Sequence, residues 1–379
     1  MKMVNFNKNR SFYIVSSITE DRGHLLLDDF FWFRNLSRLN YKTNILTSSE
    51  SAAKLKSSFP DQIQNIASFP SLRILKRINF RIYTIIKLLL SDKIQNSHII
   101  IQGFDEIAII FYLIKLRKLG NKIYLVPTNN ISPERILRSK VLLCYCLNLI
   151  INKSDYFLYH SDFELNLLKS FCEPNLDFSK CHKIKYHLLG VKGRYELNNL
   201  DDNNTFITYF GPVMESKPYN DICKLIIADY QKDKMFRFRF INVDKIYQSE
   251  IRNIVGFENE NLIFINEYLA YDDYINYVAT SKYVFLPHNF LYEGKLSGIF
   301  SDCVSNNVPV ISDKIEPLIE FFDKYGDLGY MFDFSNDNNW PINFLLSDHQ
   351  IEYSKFKISL ENCRLDHSES LIVKEFLSI

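Results

Sequence analysis

The chain has 379 residues, 47% of them apolar, which is enough for two domains with sizeable interiors. Its 45 Lys and Arg against 44 Asp and Glu leave a formal charge of +1, so the strong basic excess of a general nucleic-acid binder is excluded. The 7 Cys contain no CxxC pair and read as buried free thiols of a reducing compartment; Cys181 and His182 lack a partner pair at metal-ligand spacing.

The first residues, MKMVNFNKNRSFYIVSS, carry no apolar run ending in a small-residue cleavage site. The longest charge-free apolar run, Val141 to Ile151, is too short to cross a bilayer. The expected location is therefore the cytoplasm.

Ser11 to Ser17 predicts a buried strand, followed by a loop and a helix over Leu25 to Leu39. Tyr41 to Leu46 is the next strand and Ser48 to Ser58 the next helix. Short apolar strands follow at Ile99 to Gln102, Lys122 to Val126 and Tyr156 to Tyr159. Helical patterns at Glu106 to Leu119 and Asp162 to Phe171 alternate with them. Strands alternating with amphipathic helices predict a parallel sheet covered on both faces.

Between these elements, LRILKRINFRIYTIIKLLLSDK (residues 72–93) sets Arg73, Lys76, Arg77, Arg81 and Lys87 among Ile, Leu, Phe and Tyr. Such a helix suits contact with an anionic lipid surface; the competing reading is a core helix with a cationic solvent face.

Residues 197–205, LNNLDDNNT, are the best linker, after which the alternation restarts. Strands are expected at Phe206 to Phe210, Phe238 to Asn242, Leu262 to Ile265, Tyr283 to Leu286 and finally Val308 to Ile311. A helix is expected at Tyr219 to Asp229. The fold class is thus α/β with two similar halves and a crevice between them, and such sheets bind ligands at the carboxyl ends of their strands.

In ITYFGPVMESKPYNDICKLI (residues 207–226) a strand ends at Gly211 and the following loop carries Lys217, placed to neutralise a diphosphate. In LPHNFLYEGKLSGIFSDCVSNNVPVIS (residues 286–312) a loop holds His288, Glu293, Gly294 and Ser297. A helix then starts at Gly298 and bears Asp302. Amides at a helix start bind phosphate oxygens, and a glycine there lets the ligand approach the backbone. Glu293 and Asp302 can accept from sugar and ribose hydroxyls. The plainer reading is a capping loop with solvated carboxylates. Both loops leave strand ends of one half, and together they suit a nucleotide-diphosphate sugar.

These two stretches resemble the C-terminal domain of a GT-B glycosyltransferase of family 4. FGPVMESK keeps the family's glycine at Gly211 and its lysine at Lys217, with Pro212 where arginine is usual. NFLYEGKLSGIFSDCVSNNVPVI resembles the polysaccharide-assembly branch. Glu293 stands at its first carboxylate and Asp302, one residue late, at its second; Asn307 replaces a glycine. The first half is similar more loosely, through RGHLLLDDFFWFRNLSRLNYKTNIL, YLVPTNN, DYFLYHSDFELNLLK and HLLGV.

The resemblance implies two Rossmann-like domains with parallel sheets facing an interdomain cleft. Residues 1–196 would form the acceptor side, 197–205 the linker and 206–360 the nucleotide-sugar domain. Residues 361–379 would form a C-terminal helix at the interdomain joint. It implies a retaining transfer, in surface polysaccharide synthesis, from a nucleotide-diphosphate sugar to a glycan or polyprenyl-linked acceptor, with no resident cofactor and no metal. Lys217 and Glu293 are then the catalytic pair. Gly211, His288, Gly294, Ser297, Gly298 and Asp302 bind the donor, and Arg237 or Arg239 supplies the missing cation, against the favoured reading of both as solvated residues of an alternating strand. His24, His160 and Ser161 face the acceptor. A nucleotide-sugar epimerase of similar fold and a non-catalytic glycan-assembly partner are the alternatives. No G-x-G-x-x-G supports a dinucleotide oxidoreductase.

Overall fold

The computed structural model describes residues 11–15, 24–58, 66–69, 94–127, 131, 133–172, 176–188, 205–232, 234–256, 261–266 and 269–379. The basic segment 72–93 and nearly all of the linker 197–205 lie outside the described residues. The chain divides into two compact units, residues 1–187 with 367–379, and residues 188–366.

The first unit alternates β1 (Phe12–Val15), α1 (His24–Arg38), β2 (Thr43–Ser48), α2 (Ser49–Ser58), β3 (Ile66–Phe69) and β4 (His98–Gln102). It continues with α3 (Glu106–Lys118), β5 (Lys122–Val126), α4 (Pro133–Lys153), β6 (Tyr156–Tyr159), α5 (Asp162–Phe171) and β7 (Cys181–Lys183). Among the described residues the strands form one 7-stranded sheet, order β3-β2-β1-β4-β5-β6-β7, all pairs parallel. HIIIQ of β4 is buried at every position, as a parallel strand covered on both faces must be. The order reverses between β1 and β4, which makes their carboxyl ends the switch point of this sheet.

The second unit runs β8 (Phe206–Phe210), α6 (Asn220–Gln231), β9 (Arg237–Ile241), α7 (Lys245–Val255), β10 (Leu262–Ile265), α8 (Tyr271–Ala279) and β11 (Tyr283–Leu286). Then come α9 (Gly298–Ser305), β12 (Val310–Asp313), α10 (Leu318–Tyr325), β13 (Gly329–Phe332), α11 (Trp340–Leu346) and α12 (His349–Asp366). Its parallel sheet has the order β10-β9-β8-β11-β12-β13. One strand, β13, follows the expected last strand. The switch point here lies between β8 and β11. Buried Phe236, Tyr283, Phe285, Trp340 and Phe344 fill the core on one side of this sheet.

The final helix, α13 (Glu369–Ser378), belongs to the first unit. Phe376 packs against Trp32 and Tyr124 at ring-centroid distances of 4.8 and 5.0 Å. Glu369 pairs with Arg34 and Arg38, and the Glu375 carboxylate accepts from the Lys185 amide at 3.2 Å. The tail read as one helix from residue 361 is thus two helices, which meet between Asp366 and Glu369.

Candidate functional site

The loops that leave β8 and β11 flank the switch point of the second sheet, because β8 and β11 are hydrogen-bonded neighbours with Tyr209 opposite Phe285. Gly211 ends β8 and donates its amide to the Ile241 carbonyl at 2.8 Å. A Cβ there would lie 2.2 Å from the Asn242 carbonyl oxygen, so no side chain fits. The chain then turns tightly, with the Lys217 amide donating to the Met214 carbonyl at 2.8 Å and the Tyr209 hydroxyl to the Lys217 carbonyl at 3.1 Å.

Asn289 ties the second loop to the first. Its side-chain amide donates to the Glu215 carbonyl at 2.7 Å and its backbone amide to the Ser216 carbonyl at 3.3 Å. Lys217 and residues 288–297 are thereby brought together. The Lys217 amine lies 5.4 Å from the centre of the Tyr292 ring. It has no acidic partner among the described residues, and burial lowers its pKa to about 8.

His288 is 1% exposed and stacks on Tyr292 with centroids 3.9 Å apart. Neither of its ring nitrogens has a partner. Burial, and then the Lys217 charge, hold its pKa well below that of a free imidazole, so the ring is neutral at pH 7. Ser297 is buried beside the Tyr292 phenol, without the geometry of a formed hydrogen bond. Burial raises the Glu293 carboxyl above its ordinary value. Gly294, at φ 76°, uses the left-handed region open to glycine, and its amide donates to the Glu316 carbonyl at 3.1 Å. Gly298 starts α9, whose first-turn amides lack intrahelical acceptors.

Tyr292 and Glu316 escaped the sequence reading. Burial raises the Glu316 carboxyl, and the nearby charges of Glu320 and then Glu293 add to that. Its Oε2 is buried without a partner. Tyr292 sits between two expected site residues, which is the one signal that pointed to it. Nothing local marks Glu316, which reaches the loop through tertiary contact.

Three expected donor ligands are placed elsewhere or already engaged. Arg237 opens β9, at the amino end of the sheet and away from Gly211, with its guanidinium 4.4 Å from the Phe206 ring centre. Arg239 is buried, donating to Thr208 Oγ1 at 3.1 Å, Ser281 Oγ at 3.2 Å and the Tyr277 carbonyl at 3.0 Å. The alternation that suggested two exposed cations instead turns Arg239 into the packed interior. Asp302 is 1% exposed and accepts from the Tyr274 hydroxyl at 2.8 Å, bracing α9 against α8.

In the first unit, Ser161 is the N-cap of α5, accepting from the Glu164 amide at 3.1 Å. The His160 amide donates to the Glu164 carboxylate at 2.8 Å, and its ring stacks on Tyr186 with Nδ1 3.2 Å from the Ile184 carbonyl. Both residues serve the strand-to-helix turn, a capping-box arrangement. His24 is the first residue of α1; its side chain lies outside the described residues. At the end of β4, Gln102 is 2% exposed and neither amide atom of its side chain has a partner. Among the described residues no group of three or more His, Cys, Asp or Glu is placed to hold a metal ion.

No protein-family profile matches the chain, and no curated protein matches its sequence. Solved structures do. The Anabaena Alr3699/HepE complex with UDP and glucose superposes with a TM-score of 0.64 at 12% identity, over 97% of each chain. Sucrose-phosphate synthase from Thermosynechococcus elongatus gives 0.67 at 12% identity, over 97% of this chain and 96% of that one. The fold is GT-B. A putative UDP-N-acetylglucosamine 2-epimerase from Listeria monocytogenes shares it, with a TM-score of 0.61 at 10% identity over 92% and 90% of the two chains. GT-B architecture is thus common to proteins of different chemistry, and the choice among them rests on the site.

Proposed function

We propose that the chain is a retaining glycosyltransferase moving a sugar from a nucleotide-diphosphate donor to a glycan or polyprenyl-linked acceptor, in cytoplasmic assembly of a surface polysaccharide. One observation carries this reading. At the switch point of the second sheet, the Lys217 amine stands without an acidic partner among the described residues, beside a neutral, unpartnered His288. A cation with no acidic partner among the described residues suits an anionic ligand, and the switch point is where such sheets take ligands.

In the proposed roles, Lys217 and the first amides of α9 balance the charge that develops on the departing diphosphate. Glu293 accepts from hydroxyls of the donor sugar, and His288 offers the donor one N–H and one ring-nitrogen lone pair. Gly211 and Gly294 hold the two loops in conformations that bring these groups together. Arg239 and Asp302 are left out, since packing accounts for them, and Arg237 because it stands at the amino end of β9, away from Gly211. The leaving phosphate oxygen takes the acceptor proton, so no separate base is assigned.

The test is calorimetric titration of the full chain with nucleoside diphosphates and their sugars, followed by turnover with a glycan or polyprenyl-phosphate acceptor. Saturable donor binding should weaken in Lys217→Ala and Glu293→Ala while circular dichroism stays unchanged. Undiminished donor use in both variants would overturn the site. Conversion of the donor sugar to its epimer without acceptor would favour the epimerase reading.

A further inference from the structure

Helices α3 and α4 of the first unit pack side by side and present a shared apolar outer face. On α4, Val141 is 84% exposed, Tyr145 62% and Leu142 51%; on α3, Phe111 and Ile114 are exposed as well. Phe111, Ile114 and Lys118 follow helical i, i+3, i+7 spacing, and Val141 and Tyr145 follow i, i+4, so each set lies on one side of its helix. Single exposed apolar side chains need no explanation, but five on two adjoining helices do.

The charge on these two helices is mostly of one sign. Across α3 and α4 the sequence sets Lys115, Arg117, Lys118, Arg135, Arg138, Lys140 and Lys153 against Glu106 and Glu134, one near the start of each helix. Lys118 and Lys140 are exposed. The contrast with α12 is informative. There Ile351, Ile358 and Leu365 are also exposed at seven-residue spacing, but Glu352, Lys355, Glu361 and Arg364 mix both signs among them. Among the described residues no helix is long and apolar enough to cross a membrane.

We infer that the outer face of α3 and α4 docks on an anionic lipid bilayer, with Val141, Leu142, Tyr145, Phe111 and Ile114 entering the headgroup region and Lys118 and Lys140 pairing with lipid phosphates. An apolar face with a predominantly basic border is the complement of such a surface. Docking here needs no part of the segment 72–93, and it does not rest on the sugar-transfer reading, since vesicle binding is measured without turnover.

The experiment sediments the full chain with phosphatidylcholine vesicles, with and without phosphatidylglycerol, at low and high salt. The chain should partition onto the anionic vesicles alone, and less so at high salt. Val141→Glu with Tyr145→Glu, and separately Lys118→Glu with Lys140→Glu, should each lower that partition about tenfold or more. Because all four positions are exposed, the circular dichroism spectrum should stay unchanged. The inference is overturned if the wild-type chain ignores anionic vesicles or if both double variants bind as the wild type does. It is equally overturned if Val141→Glu with Tyr145→Glu abolishes self-association of a chain that never binds vesicles, which would assign the face to a second copy.

Discussion

The imidazole of His288 stacks on the ring of Tyr292 at 3.9 Å, and neither of its nitrogens finds a hydrogen-bond partner. Leaving such groups buried and unpaired costs about 1–3 kcal/mol, a cost that a ligand can repay. His288→Phe keeps the stacking and removes the orphaned atoms. We expect thermal melts of the free protein to show stability raised by about 1 kcal/mol. Calorimetry should show binding of a nucleoside diphosphate weakened by roughly tenfold, the loss of one buried hydrogen bond.

Lys217 gives a pH signature. Its folded pKa, about 8, lies below that of an unfolded lysine. The unfolded chain therefore binds more protons between those two values, and this residue's contribution to stability rises as pH climbs through that window. Binding of an anion has the opposite sense. It favours the charged amine, so affinity should fall above pH 8, by up to about tenfold per pH unit. Titrations near pH 8 in buffers of different ionisation enthalpy should reveal proton uptake. Lys217→Met should bind weakly at every pH and take up no proton.

For Glu293, burial raises the pKa, so its charge is lost at a pH above the ordinary carboxylate range. Binding of the sugar-bearing donor should decline on the acid side through that point. Glu293→Gln should remove this acid limb. It should weaken the nucleotide sugar by roughly tenfold and leave the bare nucleoside diphosphate nearly unchanged, because the carboxylate acts on the sugar. Paired calorimetric titrations of the two ligands read the difference.

Gly211 and Arg239 should behave in opposite ways. Gly211→Ala forces a methyl group against the Asn242 carbonyl, and urea unfolding should show a loss of about 1–3 kcal/mol together with weaker donor binding. Arg239→Met removes a buried cation that no carboxylate balances. Ser281 still donates to Thr208 Oγ1 or to the Tyr277 carbonyl, both at 2.7 Å. Stability should change by less than about 1 kcal/mol and donor binding not at all.

Much of the architecture was legible because buried parallel strands are unbroken apolar runs. YFLY and YVFL needed no further signal, and the helices between the strands announced the parallel sheets. The strands overlooked were of another kind. IASF and CHK interrupt the apolar run with small or polar residues, Ala67 and Ser68 in one and His182 and Lys183 in the other, and both lie at the sheet's edges. GYMF begins with Gly329 at φ 147°, where the Val310 backbone leaves no room for a Cβ, and a leading glycine reads as a loop. In the candidate site, the glycines, the lysine and the loop carboxylate stand just after strand ends, and the family resemblance singled them out. The stacking of His288 on Tyr292 and the approach of Glu316 could not, because they arise only when the loops fold onto each other. RFRFI looked like two outward cations, yet register sets Arg239 opposite Thr208, among side chains that enclose it.

Because α13 supplies Phe376 to the first unit, that unit cannot finish folding as its first 187 residues leave the ribosome. About 190 more residues must be translated, taking roughly ten seconds or more at ordinary synthesis rates. Through that interval Trp32 and Tyr124 lack the ring contacts that Phe376 makes with them. The first unit thus completes its core only after the second has been synthesised, which couples the quality of one to the successful production of both.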